Sequence, residues 1–561
     1  MPSTAKVPWA SEREKMISDL RIDEERKRMY YEKGYWGTST LSDIWSSQSK
    51  KYAQHVYVKD TEGHSYTYGE IDQAAARVAT WMKEVGVENG DIVTFQLPKW
   101  AEFAIIYVAC LKVGAVMHPY AVRNTDQDLI ETVNSVGTAV YIAPTFYHNR
   151  NYEMEYRAIC GSMPNLKGAL FVDRIASTIP GEVSLSCVLT NCEPLDEPSP
   201  SKSDEAACIL STSGSTGRPK QAVFTHNTIL FSERAYIAPM GFTEDDIVWM
   251  PSPLNHATGF YHGLIATMLF GGCAILQECY SPESAVKLIR EEGCTWSHGA
   301  TPFIYDLLSY LDEHGGSLPS MRFYICGGAP VPSSMIEHAS RYGILLSESY
   351  GSTESCPHVY VPLDKCLEWN GAWSGIPYEG IEVRVVDANH NEVPRGAQGE
   401  EASRGPHQFV GYLNEPERTD RALDSDGWFY SGDLCYMDEE GRIRISGRMK
   451  EIIIRGGENI SCNEVDQQLD GCPGVGEHAT IGAPDKRMGE RICTFLVPKP
   501  GAKPTVESIT EYLAEKGTPK RVWPERIEYI DRIPYTPTGK VQRFKLAAEL
   551  LLRMREERNE R

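Results

Sequence analysis

The stretch STSGSTGRPK, residues 211 to 220, crowds hydroxyl side chains and glycines ahead of a lysine. Thr212, Ser213, Ser215 and Thr216 carry hydroxyl donors, Gly214 and Gly217 let backbone amides approach a ligand closely, and Lys220 adds a point charge. That set suits a phosphate, although solvated turns share the composition and both readings stand on this stretch alone. AACIL before it (206 to 210) and QAVFTH after it (221 to 226) read as strands. A Walker-type phosphate loop runs into a helix and follows its lysine with Ser or Thr. Here Gln221 and a strand follow Lys220, so that class of nucleotide site is excluded.

The elements that must position this loop are legible in outline. A chain of 561 residues predicts two or more domains. YGEIDQAAARVATWMKEVGV reads as a helix, and DIVTFQL and TAVYIAP read as strands, which gives an α/β segment from about 40 to 185. The most apolar run, FAIIYVACLKVGAVMHPYA (103 to 121), carries Lys112 and ends on Gly114, His118 and Pro119, so it predicts a buried helix leading into a strand rather than a membrane span. Residues 186 to 206, rich in Pro, Ser and acid, read as a surface linker. Beyond GRMKEIIIRGGENIS the pattern resets to a small unit. It has a helix near 463 to 470, a strand near 491 to 498, a helix near 505 to 516 and a charged terminal helix.

A net charge of -21 disfavours nonspecific binding to nucleic acid or anionic membrane. Fifteen cysteines without CxxC or Cys/His metal spacing, and an N-terminus without an apolar leader, predict reduced thiols in the cytoplasm. A homodimer is compatible with all of this.

Five motifs in order, LSTSGSTGRPKQAVFTH (210 to 226), SESYGSTE (347 to 354), GWFYSGDL (427 to 434), GRMKEIIIRGGENIS (447 to 461) and PYTPTGKVQR (534 to 543), resemble the adenylate-forming superfamily. That group contains acyl-CoA synthetases, peptide-synthetase adenylation domains and beetle luciferases. NHATGFYHG, GATPFIYDLL, ICGGAPVP and GEEASRGP are most similar to bacterial short- and medium-chain fatty acyl-CoA synthetases and related cyclic-acid or carnitine-type CoA ligases. The resemblance implies an α/β fold with a large N-terminal domain of mixed sheets and helices (1 to 447) and a small mobile α+β C-terminal domain (448 to 561) hinged near Lys450. It also implies the reaction: ATP and a small-molecule carboxylic acid form an acyl-adenylate and pyrophosphate, then coenzyme A takes the acyl group and AMP leaves.

Roles follow from the same resemblance. The loop 211 to 220 closes over the β- and γ-phosphates, with Gln221 departing from a usual glycine. Tyr350 stacks on adenine within Ser349, Gly351 and Ser352, Thr353 meets the α-phosphate, and Glu354 holds Mg²⁺. Gly327, Gly328 and Ala329 line the adenine and acyl sites. Asp433 accepts from the ribose hydroxyls and Arg448 adds a ribose or phosphate contact. Lys540 bridges the α-phosphate and the attacking carboxylate. Gly456 and Gly457 open a passage for the pantetheine arm. His256 is either a gate or carboxylate-orienting group, or a hydrogen-bonded core histidine. Phe260, Tyr261 and Phe303 are expected to wall an apolar acyl pocket, favouring a fatty or alicyclic acid. Three rivals remain at this stage: an adenylating enzyme serving a separate carrier protein, a luciferase-like oxygenase, and a nucleotide-binding protein without catalysis. The short tail after Lys540 leaves no room for a fused carrier, which favours soluble CoA.

Overall fold

Apolar runs long enough to be wholly buried decide the centre of the molecule. In the computed structural model, which describes residues 24–174, 183–212, 219–328, 330–455, 458–536 and 540–559, the helix Glu102–Val113 buries all but Lys112 of its side chains. Lys112 escapes by pairing with Asp72 at 2.7 Å, and Glu102 is neutralised by Arg174. Gly114, at φ +77°, ends the helix in a left-handed turn that releases the chain into the strand Val116–Pro119. This is the predicted buried helix and strand. No helix among the described residues is long and apolar enough to cross a membrane.

The amphipathic helix Tyr68–Glu84 starts on a capping box, with Thr67 accepting from the Glu70 amide and Glu70 returning the bond. It packs on the helix Glu102–Val113. Strands Thr138–Pro144 and Ile92–Phe95 fall where alternation and apolarity place them. The first six residues of the expected linker belong instead to the helix Leu185–Asn191, which Ser184 caps and Leu185 and Val188 anchor. The Pro- and acid-rich composition that suggests a linker belongs to the residues after it.

Two large sheets carry the cleft. One runs Gly411–Tyr412, Lys220–Thr225, Ala206–Thr212, Val116–Pro119, Ile92–Phe95, Thr138–Pro144, Gly168–Val172 and Val183–Ser184. The other runs Ile376–Pro377, Cys356–Tyr360, Leu345–Ser352, Phe323–Gly327, Trp296–Ala300, Ile247–Met250, Cys273–Leu276, Val56–Asp60 and Ser65–Thr67. Its central strands are parallel, and their register sets Ala300, Gly327 and Ser349 abreast. The carboxyl ends of parallel strands are where α/β sheets offer a crevice. A four-stranded antiparallel sheet follows: Glu382–Val386, Gly399–Arg404, Phe429–Met437 and Ile443–Arg448.

A short 3₁₀ turn, Met449–Glu451, separates that sheet from the last one, which begins at Ile452. The last sheet joins Glu458–Ser461, Ile452–Arg455, Gly489–Pro498, Val475–Asp485 and Arg526–Tyr529. It has its own apolar core, with Ile453, Val465, Leu496 and Leu513 in it, and the helices Cys462–Leu469, Val506–Glu515 and Arg543–Asn559 pack beside its strands.

Candidate active site

The strand, loop and strand around residues 211 to 220 form an antiparallel pair in which Thr212 faces Lys220 and Ser211 faces Gln221. The Ser211 hydroxyl donates to Gln221 Oε1 at 2.8 Å and lies 3.3 Å from His118 Nε2. The unusual residue after the lysine therefore clamps the base of the loop rather than loosening its exit. Among the described residues the buried Thr212 Oγ1 has no hydrogen-bond partner, an orphan hydroxyl of the kind a phosphate oxygen would satisfy. Ser213, Gly214, Ser215, Thr216 and Gly217 lie outside the described residues, as do Ala329, Gly456 and Gly457. Of Lys450 only its backbone place in the turn Met449–Glu451 is described.

Lys220 reaches across to the opposite sheet. Its Nζ lies 3.1 Å from Glu354 Oε1 and 2.8 Å from the Tyr412 hydroxyl, and it sits 4.5 Å from the centre of the Tyr412 ring. Tyr412 in turn donates to the same Glu354 oxygen at 2.7 Å. Burial alone would raise the Glu354 carboxyl, but the Lys220 charge and the Tyr412 hydrogen bond outweigh it and hold its pKa below the ordinary value. Glu354 is thus kept ionised.

Glu354 and Thr353 occupy the turn between the strands Leu345–Ser352 and Cys356–Tyr360. Gly351 makes that hairpin feasible, since a Cβ there would fall 1.9 Å from the Cys356 carbonyl oxygen. Ser352 caps the turn by accepting from the Ser355 amide at 3.2 Å. Tyr350 and Ser349 lie one and two residues before that glycine. The Tyr350 hydroxyl reaches Asp433 Oδ2 at 2.9 Å and Glu401 Oε2 at 3.2 Å.

Asp433 and Arg448 are register partners on neighbouring strands, and Arg448 Nε meets Asp433 Oδ1 at 3.0 Å. Burial pushes the Asp433 carboxyl above its usual value despite Arg448 and Tyr350. Gly327 ends its strand with Ser349 beside it. Gly328, at φ +90°, turns the chain where a Cβ would sit 3.5 Å from Lys540 Cε.

Lys540 therefore enters this cleft from the C-terminal unit. Its amide donates to Thr536 Oγ1 at 3.0 Å and its carbonyl accepts from the Thr536 amide at 2.7 Å, closing a small hairpin with Tyr535 bridged to Val541. Three residues on, Arg543 binds Glu451, Asp466, Asn463 and the Thr480 carbonyl at 2.6 to 3.1 Å. That guanidinium fastens the hairpin to its own domain. Burial, then the nearby Arg448, lower the Lys540 pKa against the opposing pull of Asp433, Glu354 and Glu451.

His256 is half-buried beside this lysine. Burial and Lys540 hold its pKa at about 4, so the imidazole is neutral at pH 7. The helical turn after it passes into a π-helical stretch, Phe260–Ile265, an irregularity common at functional sites. Phe260 and Tyr261 do not wall the cleft as expected: both are fully buried, and Phe260 packs against Phe103 and Tyr107. Phe303 is partly exposed and packs on Trp249 and Tyr280.

The structure thus brings Lys220, Gly327, Gly328, Tyr350, Thr353, Glu354, Asp433, Arg448, His256 and Lys540 to one cleft. Sequence reasoning missed Tyr412, Glu401 and Arg543. Glu401 sits within GEEASRGP and Arg543 ends PYTPTGKVQR, but nothing in either stretch marks these side chains as site members, and Tyr412 lies six residues beyond the first.

Comparison with known proteins agrees with this geometry. The profile of the AMP-binding enzyme family matches residues 45–413, and that of the AMP-binding enzyme C-terminal domain matches residues 464–540. The chain is 40% identical over 536 residues to a medium-chain fatty-acid–CoA ligase of Escherichia coli (strain K12), covering 95% of this chain and 94% of that one. It is 30% identical to a feruloyl-CoA synthase of an Amycolatopsis species, covering 89% and 96%. Its fold superposes on ATP-bound MatB from Rhodopseudomonas palustris with a TM-score of 0.81 at 25% identity, covering 91% of this chain and 98% of that one. With both family profiles matched in order around a cleft that gathers their motifs, this chain belongs to the AMP-binding enzyme family.

Proposed function

We propose that this AMP-forming acyl-CoA ligase activates a short- or medium-chain fatty or alicyclic acid, using ATP with Mg²⁺ and passing the acyl group to coenzyme A. The observation that carries the reading is the placement of Lys540, delivered from the C-terminal unit to within contact of Gly328 and beside His256, Glu354 and Asp433. In the first half-reaction a carboxylate oxygen bonds to the α-phosphorus of ATP as the α-phosphorus bond to the bridging oxygen breaks and pyrophosphate departs. Two anions must be pressed together for this, and a lysine charge between them offsets their repulsion.

Tyr350 offers a ring for adenine, and Asp433 with Arg448 offers an acceptor and a donor for ribose. Thr212 and Lys220 face the polyphosphate, and Thr353 the α-phosphate. Glu354 is a single hard carboxylate, and such a donor with phosphate oxygens and water completing the shell is how Mg²⁺ is usually held at nucleotide sites. The ion would supply charge neutralisation there, once Lys220 turns from Glu354 to phosphate. A neutral His256 can donate one hydrogen bond to the acid without adding charge.

In the second half-reaction the thiol sulfur of CoA bonds to the acyl carbon, the acyl–oxygen bond to AMP breaks, and the thiol proton is lost to solvent. We assign the division at 447/448, with Lys450 as the hinge. The short turn Met449–Glu451 between two separately cored sheets supports it. Rotation there would withdraw Lys540 and bring Gly456 and Gly457 forward. The likeness to a medium-chain fatty-acid–CoA ligase favours an acid without charge at its far end. A cytoplasmic setting fits fifteen unpaired cysteines. The test is pyrophosphate release from a panel of carboxylic acids of increasing chain length, with and without CoA. Medium-chain acids should stimulate it most, and no stimulation by any acid would refute the reading.

A further inference from the structure

Behind Tyr350 lies a buried pair that the reaction as described does not use. Glu401 is fully buried on the strand Gly399–Arg404, and His358 is buried on the strand Cys356–Tyr360. Glu401 Oε1 meets His358 Nε2 at 3.1 Å, while its other oxygen accepts from the Tyr350 hydroxyl. The second ring nitrogen of His358 faces the Cys356 carbonyl at 3.2 Å and the Ser355 carbonyl at 3.3 Å. The Ser355 hydroxyl lies 3.2 Å from the same nitrogen, so the ring is held by hydrogen-bonding partners on both sides. Burial opposes a charge on it, but Glu401 and the two carbonyls raise the pKa above the ordinary histidine value.

The arrangement solves a specific problem. The Tyr350 hydroxyl has one hydrogen and two carboxylates within reach, Asp433 and Glu401. Left alone, two buried carboxylates on either side of one hydroxyl repel each other, and one of them must take up a proton. His358 sets a ring nitrogen 3.1 Å from Glu401, and Arg448 sets its guanidinium 3.0 Å from Asp433, so each carboxylate has a basic partner on the side away from Tyr350. The single Tyr350 hydrogen, aimed at Asp433 at 2.9 Å and shared with Glu401 at 3.2 Å, then fixes the ring plane and leaves Asp433 an acceptor. Both side chains are buried, and their hydrogen-bonded route to the cleft runs through Tyr350.

We propose that Glu401 and His358 are positioning residues that lock Tyr350, and through it Asp433, in the orientation that binds the adenosine of ATP. This rests on the assignment of Tyr350 and Asp433 to adenosine.

The experiment is a double-mutant cycle on ATP–pyrophosphate exchange, with Glu401→Gln, Tyr350→Phe and the double variant, alongside His358→Gln and Asp433→Ala. Removal of a hydrogen bond to a charged partner should raise KM for ATP about tenfold in Glu401→Gln and in Tyr350→Phe, with KM for the acid changed less than about twofold. His358→Gln should move KM for ATP in the same direction. In the Tyr350→Phe background Glu401→Gln should add less than about twofold, because its route of action is already gone. A merely structural role would move both KM values or kcat alone, or give additive effects, and any of these would overturn the inference. Should Glu401→Gln not fold, Tyr350→Phe decides by itself: it keeps the ring, and an unchanged KM for ATP would refute the lock. Asp433→Ala separates the two levels. No effect on KM for ATP would remove the adenosine assignment, whereas a rise in KM there with silent Tyr350→Phe and Glu401→Gln would remove only the lock.

Discussion

At the residue scale, the site is a set of charges held in opposition. Lys220, Tyr412 and Glu354 form a closed triangle of contacts between 2.7 and 3.1 Å. Tyr412→Phe removes the hydroxyl that anchors Glu354 and should lower kcat/KM for ATP about tenfold while leaving the fold intact, as measured by steady-state kinetics. Lys540 must be charged to act, and its pKa lies below 10.5 because burial and Arg448 disfavour the ammonium. The adenylation rate should therefore be sustained at neutral pH and fall on an alkaline limb centred below 10.5; a limb absent up to that value would contradict the charged-lysine role. The motif residues of this site were legible through the resemblance of their short stretches to a known family, not from the stretches taken singly. Tyr412, Glu401 and His358 were not. Their partners lie 58, 51 and 43 residues away, and no local pattern encodes such a meeting. His256 stood open between two readings, and its place beside Lys540 puts it in the cleft.

At the scale of elements, the first sheet carries a buried polar row that crosses five successive strands. Gln221 bonds Ser211, Ser211 approaches His118 Nε2, His118 Nδ1 meets Thr94 Oγ1 at 2.9 Å, and Thr94 meets Thr138 at 2.7 Å. The row ends at the base of the 211 to 220 loop, so it ties the loop to the sheet interior. Thr94→Val should destabilise the protein by about 1–3 kcal/mol, read by denaturant unfolding, since it strands His118 and Thr138 without their partner. The strands and helices themselves were largely readable: apolar runs at 92–95 and 138–144 and the amphipathic helix Tyr68–Glu84 obey simple periodicities. The transverse row was not, because a single Ser, His or Thr in an apolar strand gives no sign of its neighbour. The helix Leu185–Asn191 was missed for the opposite reason: seven residues are too few to show a period, and the composition around them is that of a loop.

At the scale of the whole molecule, buried histidines and the seating of one lysine are the features that reach furthest. His118 and His226 are buried with pKa values lowered to about 4, and burial holds His298 and His407 well below the usual value. An unfolded chain binds protons at these rings below pH 6.5 that the folded chain refuses. Their contribution is thus complete above pH 6.5 and is lost as pH falls towards 4, at up to ~3 kcal/mol each for His118 and His226. His358 has the opposite sign, its share being lost as pH rises through its raised value. Denaturant midpoints should drop between pH 6.5 and 4; a flat profile would show that these rings are not buried neutral. The two-unit architecture was readable from the pattern reset after residue 461, but how the C-terminal unit sits was not. The approach of Lys540 to Gly328 fixes that placement, and the proposed function reads the arrangement as the adenylating one. Its most direct test is Lys540→Ala assayed in both half-reactions. Acyl-adenylate formation from ATP and acid should be abolished, while thioester formation from supplied acyl-adenylate and CoA should persist near the wild-type rate. Equal loss of both half-reactions, or retention of the first, would contradict it.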